Sequence, residues 1–335
     1  MRDIPVGNGS LLVTFDDKYQ IRDVYFPHVG QENHTEGFPF RFGVWADGDF
    51  SWIFDDDWQR DLCYLRETLV TNVKLTNENL GLEIVSNDTV ASHENIFLRR
   101  VRVSNLRDSA RDIRVFLHHD FRLYENKVGD TAFYDPESHA LIHYKKHRYF
   151  LINTEPHFDS FSTGRKAFRD QEGTWREAET GDLNGAAITE GSVDSTIRVS
   201  LALEAGATRE FFYWICAATS HAEALELNRH LLEQTPQNFL SYTENYWRVW
   251  VNKNEINFAD LSPEIVELFK RSLLVIRTQT DNDGAILAAN DSDVTIRATD
   301  HYSYLWTRDG AFVAHALDLA NYSHLTGKFY EMCGK

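Results

Sequence analysis

The chain has 335 residues, with 34 lysines and arginines against 51 aspartates and glutamates, a formal charge of −17. That size predicts about two domains and a core that needs neither disulfides nor metals. The acidic balance excludes a phosphate-gripping surface for nucleic acid and a surface suited to anionic membranes.

Hydrophobic residues make up 42% and charged residues 25%, so the composition is that of an ordinary globular protein rather than a disordered one. Aromatic residues reach 13%. They suit the pleated surfaces of a β-rich core; a surface that stacks against sugar rings is the second use open to them. Cys63, Cys216 and Cys333 are odd in number and lack CxxC spacing, which argues against a disulfide framework or a zinc site. The N-terminal MRDIPVGNGSLLVTF has no basic segment followed by an apolar one, and no apolar run reaches membrane-spanning length. A cytoplasmic location is the expectation, and with it no glycosylation at Asn33-His34-Thr35 or Asn87-Asp88-Thr89.

Residues 1–219 are expected to be a mainly β domain. Leu69, Thr71, Val73 and Leu75 alternate with polar neighbours, Asn77-Glu78-Asn79 makes a turn, and Leu80, Leu82 and Ile84 alternate again. The same period recurs at Ile113–Leu117, Ile197–Leu203 and Phe211–Ile215. Period two, with turns rich in Gly, Asn and Asp, predicts an antiparallel sandwich. Phe158 to Gly191 shows little period and reads as long loops with one short helix. Residues 220–260 are expected to be a helical linker. His221 to Gln234 is helical in pattern until Pro236 breaks it, and Phe239, Tyr242, Tyr246 and Trp250 then form one aromatic stripe, expected to face the core. Residues 261–335 open with Ser262 as N-cap, Pro263 and Glu264 in the first turn, and Ile265, Leu268, Phe269, Ser272, Val275 and Ile276 on one face. Asp281-Asn282-Asp283-Gly284 ends that helix. Its glycine falls at the fourth position, so it is not a calcium loop.

The most informative segment is YSYLWTRDGAF. Tyr302, Tyr304, Trp306 and Arg308 are two apart and would share one face of an extended approach. From Asp309 the pattern turns helical, with Phe312, Ala316 and Leu319 on one side. Arg308 supplies permanently charged donors and Asp309 acceptors, a pair able to clamp vicinal sugar hydroxyls; the plainer alternative is an Asp309 helix cap with a surface ion pair. Elsewhere, Gly7-Asn8-Gly9 reads as a tight turn rather than a dinucleotide fingerprint. His118 and His119 point to opposite faces of a strand and cannot chelate together, and His143 and His147 flank two lysines. Asp55-Asp56-Asp57 reads as a solvated turn. No metal site and no cofactor are expected.

On Gly284–Ala289, on Tyr302 to Phe312, on Gly7-Asn8-Gly9, on Ile21 to Pro27 and on Gly30 to His34, the chain resembles the glucoamylase group, glycoside hydrolase family 15, whose relatives include glucodextranases and a trehalase branch. The resemblance implies an antiparallel super-β-sandwich, a linker helix and the first helices of an incomplete (α/α)6 barrel. It implies inverting hydrolysis of α-glucosidic bonds of maltooligosaccharides or related glucans, releasing glucose; inversion needs two carboxyl groups roughly 6.5–9.5 Å apart. By the same resemblance Arg308 and Asp309 hold hydroxyls of the glucose to be cleaved, Trp306 walls its pocket and Tyr302 lies beside the developing oxocarbenium. The family's acid and base glutamates match nothing here and are expected beyond Lys335; Glu264, Glu267 and Glu331 are not promoted in their place. The chain alone is therefore expected to be inactive, with self-association through its exposed barrel helices open to it. A stand-alone carbohydrate-binding sandwich and one half of a split enzyme are the alternatives.

Overall fold

The computed structural model describes residues 4–126, 128–166, 172–254, 256–289 and 303–334. All strand pairings in its three sheets are antiparallel. The largest has nine strands in the order Ile188–Gly191, Asp130–Asp135, Ala140–Lys145, Arg148–Glu155, Thr208–Ala218, Ile96–Asn105, Leu82–Val90, Thr71–Asn77, Gln59–Tyr64. A five-stranded sheet runs Ser160–Arg165, Val193–Leu203, Arg111–His119, Arg41–Ala46, Asp49–Trp52, and a three-stranded one joins Ile4–Gly7, Leu12–Phe15 and Ile21–Tyr25. The helices among the described residues are α1 (Trp175–Ala178), α2 (His221–Gln234), α3 (Pro236–Asn252), α4 (Pro263–Thr278), α5 (Thr307–Leu319) and α6 (Ser323–Cys333).

The middle strands of the nine-stranded sheet are apolar on both faces, and this sets the layering. Phe97, Val101, Phe211 and Ile215 point into the main core, where they meet Val115, Leu117 and Val199 of the five-stranded sheet. Their alternates Leu98, Phe212, Trp214 and Cys216 point the other way and meet Leu231 of α2 and Phe239 of α3. Alternation sends successive side chains to opposite faces, so helices must cover what the second sheet does not. Ser220 caps α2, its hydroxyl accepting from Glu223 N, while the Glu223 carboxylate takes Thr219 N. Thr235, with φ +68°, then turns the chain so that Pro236 opens α3 instead of merely ending α2.

Several expectations need correction. The segment from Phe158 to Gly191 contains two strands, Ser160–Arg165 and Ile188–Gly191, besides α1. Both are sheet-edge strands with polar sequences, stabilised by their neighbours rather than by a local pattern. The α3 stripe is divided: Phe239 and Trp250 are buried, but Tyr242 is 57% exposed. In α4 the buried residues are Leu273, Leu274 and Thr278, while Ile265 and Leu268 face solvent. In α5 Gly310, Ala314 and Leu317 are buried, while Phe312 and Leu319 are exposed. In α5 the stripe that packs is not the one named from sequence; in α4 the named stripe is split, Phe269 and Ile276 packing against the core while Ile265 and Leu268 stay exposed.

The three cysteines are free. Asn87 is buried, its amide donating to Thr71 O. No helix among the described residues is long and apolar enough to cross a membrane.

Several polar groups inside the sandwich are paired with one another. Arg99 donates to Asp88, which also accepts from Tyr19 and Thr71. His119 is hydrogen-bonded to Ser195 and Tyr213, and His143 to the same Ser195. His118 pairs with Asp194, so the two adjacent histidines do face opposite ways. In His34, Nε2 donates to Phe26 O and Nδ1 accepts from Tyr124 N, which fixes the neutral ring. Burial pushes His34 and His143 down from the usual 6.5 to about 3. A proton therefore binds the unfolded chain more tightly, and stability falls as pH drops from about 6.5 towards 3. Each such histidine contributes up to about 1.4 kcal/mol per pH unit. Urea titrations between pH 6 and 4 should show a stability slope shallower by about one proton in His143→Gln than in the unaltered chain.

Candidate functional site

The helical segment is held to the sandwich by a short ribbon. Thr280 bridges to Ile286 and Leu287 to Leu305, and Ala288 N donates to Tyr304 O at 3.2 Å. The Gly7-Asn8-Gly9 turn is the tight turn expected, with Asn8 Oδ1 accepting from Ser10 N and Leu11 N. It also docks the ribbon: Asn8 O accepts from Arg277 and Gly9 O from Asn282 N, at 2.7 and 2.9 Å. Tyr25 and Ser303 hydroxyls meet at 3.1 Å.

Two glycines are required at this joint. Gly30 has φ +85°, and a Cβ there would lie 2.4 Å from the Leu287 side chain. Gly284 has φ +105°, and its Cβ would lie 2.4 Å from Lys328 O in α6. Gly284→Ala should cost more than about 1 kcal/mol, read as a lower urea midpoint of the helical segment's tryptophan signal, from Trp247 and Trp250.

At the end of the ribbon the chain enters α5 earlier than the sequence pattern indicated. The helix starts at Thr307, with Trp306 as the extended N-cap residue (φ −101°, ψ 112°) and no side-chain cap bond. Arg308 and Asp309 thus occupy the second and third helical positions. The Asp309 cap reading fails, because the cap position belongs to Trp306, but its companion ion pair is present: Arg308 Nη2 donates to Asp309 Oδ2 at 3.2 Å. Arg308 is not on the face of the extended approach, since the backbone is already helical there; Tyr304 and Trp306 do share an exposed face, at 56% and 45%. The Arg308 side chain is 79% exposed. Tyr302 lies outside the described residues.

This corner has a definite chemical capacity. A cation in the first turn of a helix opposes the helix dipole, whereas an aspartate there is favoured. Arg308 instead pairs with the neighbouring Asp309. Its remaining guanidinium donors and the Asp309 carboxylate lie side by side just after Trp306 in the chain, a pair able to grip adjacent hydroxyls.

The glutamates of this segment are poor candidates for a general acid, which needs a raised pKa. The Ser262 hydroxyl holds the exposed Glu264 below the usual carboxylate range. Glu267 accepts from Arg66 of the sandwich at 3.1 Å. Burial raises Asp130, but that carboxylate sits beside Lys145 within the sandwich.

Among the described residues one group of potential metal ligands converges. His28 Nδ1 lies 3.5 Å from Asp281 Oδ2 and 3.7 Å from Asp283 Oδ2. Asp281 spends its oxygens on Val29 N and Asp283 N, so the group acts as a clasp between sandwich and ribbon. Sequence reasoning missed it, because no local signal links positions 253 apart.

Residues 70–234 match the family model of the glycosyl hydrolase 94 supersandwich domain. Over 336 residues the chain is 26% identical to an uncharacterized glycosyl hydrolase of Methanocaldococcus jannaschii, an alignment covering 98% of this chain and 52% of the relative. Among solved structures it superposes on a bacterial glucoamylase complexed with acarbose, with a TM-score of 0.79 at 14% identity, over 99% of this chain and 49% of that one. A candidate kojibiose phosphorylase from the human microbiome follows, with a TM-score of 0.54 at 10% identity, over 85% of this chain and 40% of that one. The chain thus carries a glycoside-hydrolase-type supersandwich and is homologous to a glycosyl hydrolase. The glucoamylase likeness is one of fold, and the chain spans about half the length of the relatives it matches.

Proposed function

We propose that this chain is the sandwich-bearing part of an inverting, glucoamylase-like glucoside hydrolase acting on α-glucosidic bonds, and that it supplies sugar-gripping residues rather than the acid–base pair. The observation that carries this reading is the exposed Arg308–Asp309 pair in the first turn of α5, where an arginine stands against the dipole of its own helix beside a carboxylate, with exposed Trp306 at the N-cap position. The homology to a glycosyl hydrolase over 98% of the chain supports the same class. In this mechanism Arg308 and Asp309 fix the hydroxyls of the terminal glucose, so that its anomeric carbon is presented in one orientation. Trp306 walls the apolar face of the ring, and Tyr302 stands beside the oxocarbenium. Orientation of this kind lowers the barrier by converting a loosely held encounter into a near-attack geometry. No cofactor enters the chemistry, and no catalytic carboxylate is assigned among these 335 residues.

The apolar faces of α4 and α5 left open by Ile265, Leu268, Phe312 and Leu319 agree with this reading, since a helix apolar on two sides is built to be covered on both. The chain by itself should release no glucose from maltooligosaccharides above a heat-killed control. Arg308→Ala and Asp309→Ala should each weaken maltotriose binding about tenfold, equivalent to about 1.4 kcal/mol. Their thermal midpoints should stay within the range of ordinary surface substitutions, about 0.5 kcal/mol. Calorimetry and thermal melts on the same samples separate the two effects, and unfolding without a binding defect would return Asp309 to a purely structural role.

A further inference from the structure

The divided aromatic stripe of α3 leaves Tyr242 outside the core and Tyr246 at its margin, against Trp247. Tyr242 is exposed and Tyr246 half-buried, and both rings approach His93, at 6.3 and 5.3 Å between centroids. His93 stands on the turn between strands Leu82–Val90 and Ile96–Asn105. It divides two adjoining clefts. One, of about 310 Å³, lies between Ser92, Asn95 and Tyr246. The other, of about 340 Å³, lies between Asn238, Phe239 and Tyr242. Each reaches the lower bound for small-ligand pockets, and together they form a groove along the seam of sandwich and helix.

The lining selects a class of ligand. The Ser92 hydroxyl at the wall of the first cleft is buried and has no hydrogen-bond partner among the described residues. Amides and aromatic rings supply most of the remaining surface. Arg277 borders the first cleft with three of its five N–H donors taken by Asn8 O, Thr280 O and Asn282 Oδ1. Glu94 borders the second cleft, 4.0 Å from His230. The formal charge of −17 disfavours anionic ligands, and a lining of amides, one guanidinium, one carboxylate and aromatic rings suits a polyhydroxylated molecule with apolar ring faces. Tyr242 and Tyr246 are four residues apart on one helix, about 6 Å along its axis, so two successive sugar rings can each meet one tyrosine.

We propose that the His93–Tyr242–Tyr246 groove is a second saccharide site that holds an α-glucan chain and shares no residue with the Arg308–Asp309 corner. The choice of glucan rests on the function proposed above; the neutral-saccharide chemistry does not. The test is calorimetric titration of this chain with maltoheptaose, using Tyr242→Ala, Tyr242→Trp, His93→Ala and Arg308→Ala. Tyr242→Ala and His93→Ala should each weaken binding at least fivefold with unchanged thermal midpoints. Tyr242→Trp, which keeps a stacking face, should restore it, and Arg308→Ala should leave groove binding measurable. Binding unaffected by both groove truncations but lost in Arg308→Ala overturns the groove and leaves the proposed function standing. Binding sensitive to Tyr242 and His93 but indifferent to Arg308 supports the groove and counts against the corner. No binding by the unaltered chain overturns the groove as a glucan site, while the glycosidase reading is then judged on glucose release by the protein with an acid–base pair supplied.

Discussion

A half-buried guanidinium ties the described residues after 260 to the sandwich. Arg277, at the end of α4, reaches the Asn8 carbonyl, the Thr280 carbonyl and the Asn282 side chain. Burial works against its charge and lowers its pKa, so it is tolerable only because acceptors surround it. Those acceptors come from the first turn of the sandwich and from the ribbon that follows α4. The same contact therefore sets where α4 ends, where the ribbon starts and, through the Leu287–Leu305 bridge, where Trp306 and Arg308 emerge. The His28–Asp281–Asp283 clasp and the Tyr25–Ser303 bond repeat the link at two further points. Side chains carried on a helix start gain orientation from being tied to a rigid sheet rather than to a loop.

The second organising feature is the two-faced sheet. A sheet covered on one side shows polar residues on the other, whereas Thr208–Ala218 and Ile96–Asn105 bury both sets of side chains. The linker helices α2 and α3 are thereby part of the sandwich's own core. The Trp214 indole donating to Asn228 of α2 shows how closely they are joined. This gives the helical segment a fixed platform and removes the freedom a bare linker would have.

How much of this was legible depended on the range of the forces. Strands such as Thr71–Asn77, Arg111–His119 and Val193–Leu203 announce themselves by alternation, and α2 by its helical pattern up to Pro236. The edge strands Ser160–Arg165 and Ile188–Gly191 do not, because partner strands rather than their own side chains hold them. The packed face of α5, and part of that of α4, differs from the sequence expectation because a second set of apolar residues satisfies the same 3.6-residue period. The start of α5 was placed two residues late, since Trp306 makes no cap bond that a sequence could signal. Of the candidate site, Trp306, Arg308 and Asp309 were found from their motif and side-chain chemistry. The Arg277 anchor, the His28 clasp and the His93 groove join residues far apart in sequence and leave no local trace.

The open faces of α4 and α5 also set the chain's colloidal behaviour. Ile265, Leu268, Phe312 and Leu319 form adhesive surface, while a formal charge of −17 keeps copies of the chain apart. The two properties respond differently to the medium. The repulsion decays over a screening length of about 10 Å at 0.1 M salt and about 3 Å at 1 M, whereas apolar attraction does not weaken with added sodium chloride and grows with sulfate. Salt is thus the variable that decides whether these molecules stay apart, and a preparation clear in dilute buffer is expected to cloud first in ammonium sulfate.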